Sequence, residues 1–154
     1  MIQQKYGLSA LTQQQKEELF KEDIDIIQNQ LHLKNPQKIS AGNWGRVYSA
    51  QDTDSSYVAV KVQKQEEYYD EEFAAAGNLN TIASQYFVKT FGKKEMHQLS
   101  RVFIAMELAN LGSFEQVTDR GKIVSENVLT TIAYCLLEFL SKFHAMNLVH
   151  WYIF

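Results

Sequence analysis

The sequence predicts an α+β fold, and three observations carry that expectation. Between residues 38 and 62, three short segments rich in β-branched and aromatic residues are separated by turn residues, as strands are. Residues 65–83 and the stretch after Ser125 carry apolar side chains at helical spacing. Two further apolar segments, 87–91 and 102–108, lie between those helices and read as strands. The order is helix, three strands, helix, two strands, helix.

Taken in order, residues 1–32 form a Gln-rich helical extension in which Phe20, Ile24, Ile27 and Leu31 make one apolar stripe. Ser9 or Thr12 is placed to cap it, and the stripe suits packing on the domain that follows. A partner-binding segment is the alternative, although the stripe is too short for sustained heptads. Asn35 and Pro36 mark a boundary. Strands are then expected at Lys38–Ser40, Gly45–Ala50 and Tyr57–Val62, with Asp52, Thr53, Asp54, Ser55 and Ser56 as the turn between the last two. The helix over 65–83 has acidic residues first and Phe73, Leu79 and Ile82 as its apolar side. After the strands Phe87–Phe91 and Val102–Leu108, Ser125 caps a helix whose Leu129, Ala133, Leu136, Leu140 and Phe143 form a continuous apolar face.

Composition narrows the function classes. A chain of 154 residues holds one domain with a real core. With 45% hydrophobic and 21% charged residues, disorder of the whole chain is excluded. Eighteen acids against fifteen Lys and Arg give a net charge of −3 without a basic stripe, which argues against a nucleic-acid partner. The single cysteine, Cys135, excludes an internal disulfide framework and fits a reducing compartment. The opening Gln3, Gln4 and Lys5 do not resemble an apolar signal core. Glu138, Lys142, His144 and His150 interrupt the most apolar stretch, so no membrane span is expected. The expectation is a soluble, cytoplasmic protein. His32, His97, His144 and His150 lack the spacing of a helical metal pair, so no metal site is expected from them. Cys135, between Tyr134 and Leu136, reads as a buried, inert thiol.

The chemistry-bearing motifs start at Ser40-Ala-Gly-Asn-Trp-Gly-Arg-Val-Tyr48. Glycines are needed where backbone N–H groups approach phosphates without a Cβ between them, and Gly42 and Gly45 fit that use, although most such turns in β-proteins are only hairpins. Val58-Ala-Val-Lys61 follows, with Lys61 sixteen residues after Gly45 on the strand next along, where its ammonium can reach the same phosphates. Together these segments resemble the eukaryotic-type protein kinase family, whose glycine-rich loop reads G-x-G-x-x-G-x-V and whose third strand reads V-A-I-K. Gly42, Gly45 and Val47 match, and Trp44 stands at the aromatic tip. Phe103-Ile-Ala-Met-Glu-Leu-Ala109 is similar to the fifth strand and hinge, with Met106 as gatekeeper. Leu111-Gly-Ser-Phe114 and Phe139 to His150 resemble the segments that open the large lobe and lead into its catalytic loop.

The resemblance implies a partial kinase domain over residues 33–154, roughly the first half of that fold. Its small lobe would cover about 33–108, with a five-stranded antiparallel sheet and a regulatory helix. The hinge would fall at about 107–112, and residues 113–154 would begin an α-rich large lobe. It also implies ATP as ligand, with Mg in the family. Val47 and Ala59 would enclose the adenine, and the backbone of Glu107 and Ala109 would read its edge. Lys61 would neutralise the α- and β-phosphates beneath the loop of Ser40, Ala41, Gly42, Asn43, Trp44 and Gly45. The acceptor would be protein Ser/Thr rather than Tyr, because most such domains are of that kind.

Four departures qualify the activity. Ser40 stands at the first glycine of the loop, at a cost of about 1 kcal/mol or somewhat more if φ must be positive there. Ala75 aligns with the glutamate that pairs with the strand lysine, leaving either Glu72, one turn earlier, as the partner of Lys61 or, the favoured reading, Glu71 and Glu72 as a solvated acidic face. After His150, Trp151 and Tyr152 replace the Arg and Asp of the catalytic loop, so no catalytic residue is intact. The family's metal-binding Asn and Asp would come after Phe154. The match stops so sharply at residue 150 that a broken gene model or transcript is the expected cause. The expected function is therefore a kinase-like ATP-binding domain, inactive as written. Its rivals are a non-catalytic pseudokinase scaffold and a non-functional truncated product.

Overall fold

The computed structural model describes residues 8–42, 45–109 and 123–147. Helix α1 spans Gln13–Asn29. Of the two expected caps, Thr12 takes the role, and it does so reciprocally. The Gln15 N–H donates to Thr12 Oγ1 at 3.2 Å, and the Thr12 N–H donates to Gln15 Oε1 at 2.9 Å. Ile27 is fully buried, whereas Phe20, Ile24 and Leu31 are half-buried. Ile26 and, less expectedly, Asp23 complete the buried side.

Five strands follow: β1 Lys34–Gly42, β2 Gly45–Gln51, β3 Tyr57–Lys64, β4 Thr90–Met96 and β5 Arg101–Glu107. They form one antiparallel sheet in the order β1-β2-β3-β5-β4. The turn between β2 and β3 is the expected one. Asp52 accepts the Thr53 N–H on its side chain and the Ser55 N–H on its carbonyl, with Ser55 at φ 69°.

Three boundaries differ from expectation. Pro36 does not end an element: it lies buried inside β1, which begins at Lys34. The strand tolerates it because β1 is an edge strand and its register shifts between Lys34 and Gln37. The expected strand 87–91 is displaced to 90–96, after a 3₁₀ turn at Ser84–Tyr86. β4 is the other edge, where Lys93, Lys94 and Glu95 are compatible with pairing, so its strand character is hidden among charges. The helix expected over 65–83 divides into a 3₁₀ turn at Gln65–Glu67 and helix α2 at Asp70–Ala83. Asp70 pairs with Lys93 of β4, which ties the start of α2 to the sheet edge.

The sheet has two unlike faces because side chains alternate along each strand. Tyr48 and Ala50 of β2, Val58, Val60 and Val62 of β3, and Phe103 of β5 pack with Ile26, Ile27 and Leu33 into the main core. This is the α1 side. The opposite face carries Val47, Ala59, Lys61 and Met106. Helix α3, Glu126–Ala145, is capped by Ser125, whose Oγ accepts the Val128 N–H at 3.4 Å. Its C-terminal part docks through rings: Phe139 and Phe143 lie 4.6 and 6.3 Å from Phe87, centroid to centroid. Of the expected apolar face, Leu129 and Leu136 are exposed. Cys135 is exposed as well, which corrects the reading of a buried thiol; it sits on the stretch 126–137 of α3, all of which is exposed.

Candidate functional site

Register decides which side chains meet. Val47 stands opposite Lys61, and Lys61 opposite Ile104, so these three form one row across β2, β3 and β5. The next row is Ser49, Ala59 and Met106. Four residues singled out from sequence, Val47, Ala59, Lys61 and Met106, thus share the face away from α1 in two adjacent rows. Ala59 is buried and Lys61 half-buried. Among the described residues Lys61 has no ion-pair partner. The Glu72 side chain, the expected partner, lies outside the described residues.

The glycine segment is a hairpin in which Gly42 pairs with Gly45. Gly45 has φ +122°, and a Cβ there would lie 2.5 Å from the Val62 carbonyl oxygen, so only glycine fits. A Cβ on Gly42 meets nothing within 4 Å. Ser40 is an exposed strand residue opposite Val47 and has no positive φ, so serine there carries no left-handed penalty. Ala41 pairs with Arg46. Asn43 and Trp44 lie outside the described residues.

At the end of β5, Glu107 donates its N–H to the Lys89 carbonyl at 2.7 Å. The Glu107 amide is therefore already occupied within the protein. Ala109 is exposed just beyond the strand. The backbone of Glu72 and Ala75 belongs to α2, while their side chains lie outside the described residues. The segment 110–114, His150, Trp151 and Tyr152 also lie outside them.

Sequence reasoning missed a buried polar cluster on the α1 side. Asp23, fully buried, accepts from Arg46 Nε, from Arg46 Nη2 at 3.1 Å, from Tyr48 Oη at 2.7 Å and from Arg101 Nη1 at 3.1 Å. Arg101 also reaches Glu22 at 2.7 Å. Burial alone would depress the Arg46 pKa, but the hydrogen bond and charge of Asp23 outweigh it and hold the guanidinium ionised. Burial, and then the Asp23 charge, push the Tyr48 hydroxyl well above its ordinary range, so it stays a neutral donor. The signal was present in the pattern. Asp23 lies three residues after Phe20 and four before Ile27, on the apolar stripe itself.

The family model for the protein kinase domain matches residues 33–153, most of the chain. The chain belongs to the protein kinase family. The fold agrees: a five-stranded antiparallel kinase small lobe is followed by a helix at the position of the first large-lobe helices. A search of curated proteins finds no significant match. The kinase match begins at Leu33, so α1, with Glu22 and Asp23, lies upstream of the matched segment while its partners Arg46, Tyr48 and Arg101 lie within it. No helix among the described residues is long and apolar enough to cross a membrane.

Proposed function

We propose that the chain binds ATP on the sheet face carrying Lys61 and, as this polypeptide, does not transfer its phosphate. The observation that carries the first half is the pair of cross-strand rows, Val47–Lys61–Ile104 and Ser49–Ala59–Met106. Val47 and Ala59 are the residues to enclose an adenine. The Glu107 carbonyl and the Ala109 N–H are suited to its polar edge, with Met106 behind it. Lys61 is the cation for the α- and β-phosphates, together with the backbone of the glycine segment 40–45. When bound, ATP supplies a transferable γ-phosphoryl group in this family, with Mg. The acceptor in the family reaction would be protein Ser/Thr, and the cytoplasm is the compartment proposed for this chain.

Titration with a fluorescent ATP analogue tests the binding. Lys61→Met is expected to weaken it about tenfold or more, the loss of one charge-assisted contact. Equal affinity in wild type and variant would remove Lys61 from the site.

The second half rests on Tyr152, which stands where the family has its catalytic aspartate. A phenol with a pKa of about 10 is neutral at pH 7 and a poor acceptor for the substrate proton. No label is expected to pass from γ-labelled ATP to any peptide with Mg²⁺ or Mn²⁺. Transfer that disappears in Lys61→Met would overturn this. Tyr152 favours a nucleotide-binding pseudokinase scaffold over an enzyme as the role of this polypeptide.

A further inference from the structure

Helix α1 lies upstream of the matched kinase segment, yet it is tied to four strands. From β1, the Lys38 ammonium sits 4.1 Å from the centre of the Phe20 ring. From β2, Arg46 and Tyr48 reach Asp23. From β4, Lys94 Nζ donates to the Gln30 carbonyl, just past the helix end, at 3.0 Å. From β5, Arg101 reaches both Glu22 and Asp23. β3 adds Val60 and Val62 to the core around Ile26 and Ile27. A helix attached in this way braces the sheet.

The brace bears most on the glycine hairpin. β1 is an edge strand whose only buried residue is Pro36, so its position near the turn depends on β2. On β2, Gly45 has no side chain, and the first side chain after the turn on the α1 side is Arg46, 7% exposed. Arg46 and Tyr48, the next residue on that side, are both held by one carboxylate. We infer that Asp23 is a positioning residue for the paired strand ends at Gly42 and Gly45, setting through Arg46 and Tyr48 where Val47 of β2 stands beside Lys61. Helix α1 is thereby part of the frame of the site, although it precedes the kinase match. The consequence for nucleotide rests on the function proposed above; the consequence for the hairpin does not.

Amide hydrogen exchange of the full chain without nucleotide tests the positioning, using the double variant Asp23→Leu/Arg46→Met. Apolar replacement of a buried pair keeps a helix docked, and Ile26 and Ile27 remain. The amides of Gly42, Gly45 and Val47 are expected to exchange about tenfold faster, while those of Val60 and Phe103 keep wild-type rates. The ATP analogue is expected to bind about fivefold more weakly. Unchanged hairpin exchange, or equal acceleration in β2, β3 and β5, would overturn the inference, the latter by making Asp23 a general stabiliser only. Should the double variant not fold, Arg46→Lys keeps the charge without the forked geometry, and about threefold faster exchange confined to the hairpin is expected. If the wild type binds no analogue, the proposed function fails, while the exchange pattern still decides the positioning.

Discussion

Asp23→Asn is expected to lower the free energy of unfolding by about 3–5 kcal/mol, the usual result of removing one partner from a buried ion pair. The size follows from what is left behind. Asp23 is fully buried and Arg46 nearly so, and the amide would leave the Arg46 guanidinium in a dry site without its counter-charge. Arg101 suffers less, because Glu22 still holds it at 2.7 Å. Tyr48 keeps an acceptor in the amide oxygen, but a weaker one. Urea unfolding of wild type and variant measures the difference. A loss below about 1 kcal/mol, the range of an exposed pair, would mean that water reaches the cluster.

Gly45→Ala is expected to cost about 3 kcal/mol or more, from strain in a backbone conformation that L-residues rarely adopt. The new Cβ has no soft neighbour to displace: it would stand 2.5 Å from the Val62 carbonyl oxygen, a backbone atom of the central strand. Relief requires moving β2 away from β3, at the pairing that places Val47 beside Lys61. Gly42→Ala is the matched control, with open space around its Cβ, and is expected to change stability by no more than about 0.5 kcal/mol. Denaturant unfolding of both variants separates the two glycines. Equal costs would remove the distinction. The two residues look alike in the sequence, and only one of them is there for the fold.

Much of the site was legible in the sequence because its elements are local. Val58-Ala-Val-Lys61 alternates as a strand must, so Ala59 and Lys61 share a face wherever the strand lies. The two-residue gap between Gly42 and Gly45, set between strands, implies a hairpin. What placed Val47 on that same face was pairing register, which a change of one residue would have reversed. The displaced β4 shows the opposite case. Its charges are those of an edge, and being an edge is a property of the sheet order, not of residues 90–96.

Local chemistry in the chain was enough to determine the α+β class, the helix capped at Ser125, the turn at 52–56 and the kinase-like order of motifs, whereas the choice of Thr12 over Ser9 came from the structure. Those features depend on neighbours within about four residues, or on spacing along one strand. Tertiary structure alone decided that Asp23 meets Arg46, Tyr48 and Arg101, residues 23, 25 and 78 positions away along the chain. It also decided that Gly45, and not Gly42, lies against Val62, and that Cys135 faces outward. The physical reason is the same in each instance. A charge on an apolar stripe, a glycine in a turn and a thiol on a helix are each compatible with several environments, and the choice falls to whichever distant element packs against them.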